Sequence, residues 1–399
     1  MKNIVFNFLR IIVLIIIIFA PMNNPIFLSK ISLVNFKNYK QTELSLSPEI
    51  NCFIGENGAG KTNILDAIYY LSMCKSYLNP IDSQNILFDE SFFVIQSSWQ
   101  RGEQVESVYC GVKRGQKKVF KKNKVEYEKL ADHIGQFPTV MISPYDRDLI
   151  VEGSEVRRKW VDGIISQFDR SYLESLMRYG KVVAHRNALL KNMGDYGFFD
   201  KDSIDVWDDQ MIKYGNEIHE ARKTSIENFI PIFQKYYNWL SGSKEVVGLE
   251  YKSQLFDTSF EDLLVKAQRD DLRRQYSTVG VHRDDFVFTI KGYPIKKFGS
   301  QGQQKSYLIA LKLAQYEWLL SRLKVKPILL LDDIFDKLDN ERVERLMQMV
   351  SDQDFGQVLI TDTDKDRIAN VFNKNNINYK AFFIRDNIVE EEAQKIESL

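Results

Sequence analysis

The stretch GENGAGKTN, residues 55–63, carries the strongest structural signal in the chain. Its glycines, lysine and threonine have the spacing of a phosphate-binding loop, G-x-x-x-x-G-K-[ST]. An apolar run at residues 52–54 precedes the motif, and apolar residues recur at helical spacing over residues 64–71. This context predicts a strand, a loop and a buried helix, although a glycine-rich turn can also match the motif by chance.

The residue types in this loop suit a nucleotide. Glycine adopts backbone angles that side chains forbid, so successive N–H groups can turn inward around phosphate oxygens. We expect Lys61 to reach the β- and γ-phosphates and assist catalysis, and Thr62 to offer its hydroxyl to Mg²⁺. The predicted nucleotide-binding residues of the loop are Gly55, Glu56, Asn57, Gly58, Ala59, Gly60, Lys61 and Thr62.

A second motif, PILLLDDIFDKLD at residues 327–339, predicts a buried strand that ends in two carboxylates. A strand end delivers such groups to the ligand edge of a parallel sheet. Asp332 is predicted to hold Mg²⁺, directly or through water, and Asp333 to act as the general base toward the attacking water. A buried strand that simply runs into a polar turn is the alternative.

A third stretch, GSQGQQKS at residues 299–306, opens a helical pattern just before the carboxylate strand. Small and amide residues at a helix N-terminus can bind an anion through their N–H groups. Because the phosphate loop already supplies one such site, a second one suggests a second subunit. The residues expected to bind nucleotide here are Ser300, Gln301, Gly302 and Gln303. Simple helix capping by Ser300 is an equally good explanation.

Composition indicates an ordinary globular protein of 399 residues with 54 basic and 54 acidic side chains, so any polyanion site must be local. Three cysteines without metal spacing favour a reducing compartment. Residues 1–21 are apolar and resemble a secretory signal, but Met22 is a second plausible translation start. We expect residues 1–21 to be an atypical extension from a misplaced start, with a cleaved signal or an anchor as alternatives.

The pattern along the chain predicts an ATPase part interrupted by helices. Strand-like alternation occupies residues 25–53 and 92–112, long helical patterns run from about residue 157 to 256, and strand texture then returns. The predicted divisions are residues 22–150 for the first part of the ATPase lobe, 151–274 for a helical insertion, and 275–399 for the second part. No heptad run is long enough for an extended coiled coil.

Together these motifs resemble the RecF family of DNA replication and repair proteins, within the ABC-type ATPase heads of chromosome maintenance proteins. The resemblance covers nearly everything from Met22 onward and includes VNFKNY at 34–39, SPYD at 143–146, RRKWVD at 157–162, RNALLK at 186–191 and GVHRDD at 280–285. It implies an α/β fold: a P-loop ABC-type head with a mixed β lobe, a RecA-like sheet and an inserted helical lobe.

The resemblance also implies a function. ATP and Mg²⁺ would close a homodimer, with the phosphate loop of one protomer facing the Ser300–Gln303 stretch of the other. Such a clamp would bind DNA at single-strand gaps or junctions with duplex. It would work with RecO- and RecR-type mediators to load RecA and support the SOS response, in the cytoplasm, without a stable membrane partner. Residues 336–339 would cross the dimer interface. Thr361 stands where many relatives carry a switch histidine, so weak, switch-type hydrolysis is expected.

The charge pattern permits DNA binding without proving it. Cations crowd into residues 113–124, and a solvated hairpin whose lysines prevent edge pairing explains them equally well. The candidates are Lys113, Arg114, Lys117, Lys118, Lys121, Lys122 and Lys124, with Arg157, Arg158, Lys159, Arg273 and Arg274 as further candidates. Helical arginines more often pair with neighbouring carboxylates.

Three rival functions belong to other classes. A transporter ATPase would drive a membrane subunit, a structural cohesin-like or break-repair head would carry hundreds of coiled-coil residues, and an overcoming-lysogenisation-type nuclease would append a nuclease domain. The large insertion argues against the first rival, and the missing heptads argue against the second. About sixty residues follow the carboxylate motif, too few for a typical further domain.

Overall fold

A computed structural model describes residues 25–196, 198, 200–242, 245–335, 340–351, 355–374 and 377–392. The predicted N-terminal extension, residues 1–21, and the predicted interface loop, residues 336–339, lie outside the described residues. Within the described ranges, no helix combines the length and apolar character needed to cross a membrane.

The described residues form strands and helices that alternate along the chain. The strands are β1 (Ile26–Phe36), β2 (Tyr39–Ser45), β3 (Ile50–Gly55), β4 (Phe92–Arg101), β5 (Gln104–Lys113), β6 (Val119–Lys122), β7 (Val125–Glu126), β8 (Thr139–Ile142), β9 (Val247–Lys252), β10 (Asp285–Ile290), β11 (Tyr293–Pro294), β12 (Ile328–Leu331), β13 (Val358–Asp362), β14 (Lys380–Arg385) and β15 (Ile388–Glu392). The α-helices are α1 (Lys61–Met73), α2 (Asp148–Val151), α3 (Ser154–Phe168), α4 (Arg170–Tyr196), α5 (Lys201–Ser241), α6 (Phe260–Arg274), α7 (Ile295–Phe298), α8 (Gln301–Leu323), α9 (Asn340–Ser351) and α10 (Lys365–Lys374).

One six-stranded sheet positions the candidate site. Its strand order is β15-β14-β3-β13-β12-β8, and every neighbouring pair is parallel except β14 with β15. Parallel strands end at the same edge of a sheet, so the loops after β3, β8, β12 and β13 converge there. The apolar strands are buried on both faces, as the ILLL sequence of β12 shows.

A second, antiparallel six-stranded sheet has the order β2-β1-β4-β5-β6-β7. Strands β1 to β5 confirm the predicted strand texture over residues 25–53 and 92–112. Its inward face shares one core with the apolar side of α1, where Leu33 and Ile95 lie in the same cluster as Ile64 and Leu71. Helix α1 is therefore covered by both sheets, and the phosphate-loop motif stands at its start.

The helical prediction for residues 157–256 is correct for most of α3 and for α4 and α5, but it is wrong after residue 241. Helix α5 stops at Ser241 because Gly242 adopts a left-handed conformation, with φ of 72°. The chain then forms β9, which pairs antiparallel with β10 in a three-stranded sheet. Residues Val247, Leu249 and Tyr251 alternate inward along β9, a strand pattern that the surrounding helical texture obscured.

A buried arginine joins the helices to this small sheet. The Arg222 side chain on α5 is only 2% exposed and donates to the Val281 carbonyl over 2.8 Å and to Asp284 Oδ2 over 3.0 Å. It also donates through Nη2 to Asp162 Oδ1 on α3 over 2.9 Å. A buried guanidinium is tolerated because carboxylates and a carbonyl replace its water. The motifs RRKWVD and GVHRDD supply these partners.

Replacing this arginine is expected to destabilise the fold. Arg222→Ala leaves two buried carboxylates without their cation, so the free energy of unfolding should fall by about 3–5 kcal/mol. Urea denaturation measures the change. Arg269, one of the exposed arginines of α6, provides the control, and the free energy of unfolding of Arg269→Ala should lie within about 0.5 kcal/mol of the parent value. Equal stability of the two variants would show that the buried network does not hold the helices in place.

Candidate nucleotide site

The phosphate-loop motif forms a tight turn between β3 and α1. Gly60 has a φ of 108°, and a side chain there would bring its Cβ within 2.4 Å of Asn38 Nδ2. At Gly55 a Cβ would meet the Ile384 carbonyl oxygen at 2.4 Å. Backbone conformation requires glycine at position 60, and close packing requires it at position 55. The two glycines that define the motif are thus needed by the folded chain itself.

Lys61 lies across the loop that precedes it. Its side chain is buried, and Nζ donates to the carbonyl oxygens of Gly55 over 2.8 Å and Glu56 over 3.0 Å. Helix α1 begins at this residue, and no side chain caps its N-terminus. The first N–H groups of the helix and the ammonium therefore provide positive charge and donors at one point, as an anion site requires.

The carboxylate of Asp332 receives three hydroxyl groups from three separate segments. Thr62 Oγ1 donates to Oδ1 over 2.8 Å and Thr361 Oγ1 donates to the same oxygen over 2.9 Å. Ser143 Oγ donates to Oδ2 over 3.2 Å. Burial and the neighbouring Asp333 raise the pKa of Asp332, and the hydroxyl donors partly offset this. The structure thus brings the phosphate loop and the carboxylate strand together, as the sequence predicts.

Asp333 has an unusual backbone and an unsatisfied side chain. Its φ of 46° lies in the left-handed region, which is uncommon for a residue other than glycine. Its backbone N–H donates to Thr361 Oγ1 over 2.9 Å, while its buried Oδ1 has no hydrogen-bond partner among the described residues. Strained backbone and unpaired buried polar atoms concentrate at functional sites. Thr361, where sequence analysis noted only the lack of a switch histidine, thus contacts the Asp332 carboxylate and the Asp333 backbone.

The expected helix cap by Ser300 is present at the start of α8. Ser300 Oγ accepts from the Gln303 N–H over 3.2 Å, and Gln303 Oε1 accepts from the Ser300 N–H over 2.7 Å. Ser300, Gly302 and Gln303 line a cavity of about 420 Å³ with Arg342 and Arg345. No residue of the phosphate loop lines that cavity within the described part of the chain.

Gln301 lines a different cavity, of about 330 Å³, that also includes Asp332. Within one protomer, the predicted nucleotide-binding residues 300–303 therefore line two separate cavities, because Ser300, Gly302 and Gln303 line the other one. Their binding of nucleotide stays a prediction.

An internal ion pair, missed at the sequence level, links α8 to the carboxylate site. Lys312 Nζ lies 2.7 Å from Asp146 Oδ1, and both side chains are almost completely buried. Asp146 Oδ2 accepts from the backbone N–H of Ser143, whose hydroxyl reaches Asp332. Lys312 also donates to the Tyr77 hydroxyl over 3.1 Å. The SPYD motif is thus the connection between the helix and the nucleotide edge.

Several of the candidate DNA-binding cations are held by acidic partners. The pairs within 3.0 Å are Lys118 with Asp82, Lys122 with Glu106, Arg157 with Asp285, Lys159 with Glu155 and Arg273 with Asp270. Arg158 donates to the Asp284 carbonyl and to Ser154 Oγ. The expectation that helical arginines pair with neighbouring carboxylates is confirmed for Arg273, whereas Arg157 pairs with the distant Asp285 on β10. The exposed candidates on the hairpin are Lys113, Arg114, Lys117 and Lys124.

Comparison with known proteins gives the family. A family model described as the RecF/RecN/SMC N terminal domain matches residues 27–389. The DNA replication and repair protein RecF of Flavobacterium johnsoniae is 49% identical over 89% of this chain and 99% of its own length. The same-named protein of Phocaeicola vulgatus is 48% identical over 93% of this chain and 100% of its own length. The chain belongs to the RecF family of DNA replication and repair proteins.

Solved structures agree with this assignment. The recombination mediator protein RecF-ATP of the RecFOR pathway has a TM-score of 0.85 and 30% identity, covering 93% of this chain and 99% of that one. The Smc head domain of Pyrococcus furiosus, with a TM-score of 0.53 and 16% identity, shares the fold alone. The predicted α/β head of the ABC type is confirmed. Because RecF relatives match over nearly their whole length, the transporter, coiled-coil and nuclease alternatives are set aside.

Breaking the internal ion pair is expected to cost more than removing it whole. Lys312→Met leaves the Asp146 carboxylate buried and unpaired, so the free energy of unfolding should fall by about 3–5 kcal/mol. The double variant Asp146→Asn/Lys312→Met carries no buried charge and should recover most of that loss. Denaturant titration compares the two with Lys181→Met, an exposed lysine of α4. Additive losses in the double variant would contradict a direct pairing.

Proposed function

We propose that this RecF family member is an ATP-driven switch that closes a homodimer on DNA. The observation that carries the proposal is the 2.8 Å hydrogen bond from Thr62 to Asp332, which joins the phosphate loop to the carboxylate strand. In P-loop ATPases these two groups bind Mg²⁺ beside the β- and γ-phosphates. The solved RecF-ATP neighbour supports ATP as the nucleotide.

The phosphate loop supplies the binding energy in this mechanism. The N–H groups of residues 55–62 would bind the triphosphate, and the uncapped start of α1 would add the positive end of its dipole. Lys61 exchanges its two carbonyl acceptors, Gly55 and Glu56, for phosphate oxygens. This exchange costs little because the ammonium is already held in place, so little side-chain freedom is lost on binding.

The oxygen donors suit Mg²⁺. Magnesium is bound by one or two carboxylates or hydroxyls together with waters and substrate phosphates. Thr62 and Asp332 supply such oxygens, and the described residues contain no cluster of three or more His, Cys, Asp or Glu that would form a closed metal cage. When bound, the ion neutralises charge on the phosphates. It would also lower the raised pKa of Asp332, because a cation favours the carboxylate form.

Hydrolysis is assigned to Asp333 as the general base. Its buried Oδ1, unpaired within the described chain, is suited to accept a proton from a water that attacks the γ-phosphate. Thr361 holds the Asp333 backbone N–H and the Asp332 carboxylate in fixed relation. A threonine cannot offer the imidazole of a switch histidine, so turnover is expected to be slow. Slow turnover keeps the dimer closed for longer, as a switch requires.

The remaining roles follow from the family. Ser300 to Gln303 of one protomer are proposed to close over the nucleotide of its partner, and DNA at gaps or junctions is the proposed ligand of the dimer. RecO- and RecR-type mediators, and RecA through them, are the proposed partners, in the cytoplasm and without a stable membrane partner. The RecFOR pathway named for the solved neighbour supports this placement. The division at residues 150 and 274 stays a prediction.

Removing the loop lysine tests nucleotide binding. Lys61→Ala is expected to abolish ATP binding because the ammonium that neutralises the β- and γ-phosphates is lost. Calorimetric titration with a slowly hydrolysed ATP analogue measures it, with the exposed Lys40→Ala as the matched control. An unchanged affinity in the Lys61 variant would refute the assignment of this loop.

Removing the general base separates binding from hydrolysis. Asp333→Asn keeps the size of the side chain but cannot accept the proton, so phosphate release should fall by about 100-fold or more while ATP affinity stays within a few-fold. Sedimentation velocity with ATP should then show a longer-lived dimer. Asp257→Asn, at an exposed position, is the control. A monomer at saturating ATP in the parent protein would exclude the switch altogether.

A further inference from the structure

The antiparallel sheet ends in a group of exposed cations. The turn between β5 and β6 occupies residues 114–118, and we call Lys113, Arg114 and Lys117 the basic tip. All three side chains are exposed, and none forms an ion pair with another described residue. No carboxylate of the described residues neutralises the basic tip, whereas Lys118 is paired with Asp82.

An exposed aromatic ring stands beside the basic tip. Phe88 is 86% exposed and lies in a turn closed by the Glu90 N–H, which donates to the Leu87 carbonyl over 3.1 Å. Arg114 donates two hydrogen bonds to the end of this turn. Its backbone N–H donates to the Ser91 carbonyl over 3.0 Å, and its side-chain Nε donates to the Glu90 carbonyl over 3.3 Å. One backbone and one side-chain hydrogen bond of Arg114 therefore hold the segment that carries Phe88 next to the basic tip.

The same turn is attached to the nucleotide end of the molecule. The Leu87 N–H donates to the Asn35 carbonyl over 2.8 Å at the end of β1. Three residues later, the Asn38 side chain accepts from Asn63 Nδ2 over 2.6 Å, in the first turn of α1. The Phe88 turn and the start of the phosphate-loop helix thus share the β1–β2 connection. DNA held at the basic tip would lie close to the nucleotide that controls the dimer.

We propose that the basic tip and Phe88 form the surface that recognises the end of a duplex at a single-strand gap. The cations bind backbone phosphates, which gives affinity independent of sequence. The ring stacks on the base that is exposed where the duplex stops, and stacking accepts every base. An intact duplex exposes no such base, so Phe88 adds affinity only at the gap. This inference rests on the proposed function and assigns the location and selectivity of its DNA contact.

The carboxylates of the same turn oppose this attraction. Asp89 is exposed and Glu90 is half-buried, so they reduce the positive field of the basic tip. Coulomb repulsion from DNA phosphates is expected to weaken binding through both groups. The variant Asp89→Asn/Glu90→Gln should therefore bind gapped DNA more tightly than the parent, whereas a surface that DNA does not touch would show no change.

The cations are tested by their effect on salt dependence. The variant Lys113→Gln/Arg114→Gln/Lys117→Gln is compared with Lys181→Gln/Lys191→Gln/Lys266→Gln, which removes the same charge from exposed positions on α4 and α6. Fluorescence anisotropy with ATP and a labelled gapped duplex gives the affinity over a range of salt. The logarithmic salt slope should become shallower by about 2–3 in the first variant, at about 0.9 for each lost phosphate contact, and not in the control. Equal slopes would overturn the proposal.

Phe88 is tested by its selectivity. Phe88→Ala should weaken binding to the gapped duplex by about fivefold or more and leave the affinity for the intact duplex unchanged. Tyr196→Ala, at the 79% exposed aromatic residue that ends α4, should change neither. Equal losses on both DNAs, or no loss on the gapped DNA, would overturn the role of the ring.

The outcomes distinguish a failure of this inference from a failure of the proposed function on which it rests. If the parent protein binds gapped DNA in an ATP-dependent way and all the variants behave like it, only the location proposed here fails. If the parent protein binds no DNA, or binds it equally without nucleotide, the proposed switch fails and the location fails with it. ATP affinity of every variant is measured in parallel and should equal that of the parent.

Discussion

The buried carboxylate of Asp332 is the point on which the candidate site depends. Three hydroxyl groups reach it from separate segments: Thr62 in the first turn of α1, Ser143 just after β8, and Thr361 within β13. Burial penalises the charged form and raises the pKa of Asp332, so the carboxylate is tolerated only because these donors surround it. A divalent cation would complete the same arrangement. The need to satisfy one buried carboxylate thus brings four segments of the chain together at the edge of the parallel sheet.

From this carboxylate, contacts extend outward to the rest of the head. Ser143 connects Asp332 to Asp146, and the Asp146–Lys312 ion pair connects that loop to α8. Any displacement of α8 would therefore shift Asp332 as well, because the charged groups that connect them cannot separate cheaply in a dry interior. In the helical part, the buried Arg222 likewise pairs with carboxylates, and there the pairing stabilises the packing of the helices. Buried charge positions the site in one region and fixes helix packing in the other.

The cations of the chain divide into two groups according to their partners. Those paired with carboxylates, such as Lys118 and Arg157, stabilise local structure and have little charge left for a polyanion. Those at the basic tip remain exposed at the nucleotide end of the antiparallel sheet. A protein with zero formal net charge can attract DNA only through such local separation of charge. Placement, rather than total charge, therefore decides where DNA can bind.

The sequence by itself determined the strand–loop–helix unit at residues 55–71, the carboxylate strand and the family, because glycine conformation and apolar periodicity are local properties. It misjudged residues 247–252, since strand alternation is short and was surrounded by long helices. It also gave no sign of the Asp146–Lys312 pair or of the double role of Thr361. These depend on chain segments that are distant in sequence and meet only when the parallel sheet forms. Tertiary structure alone decided which charges are paired inside and which remain for a ligand.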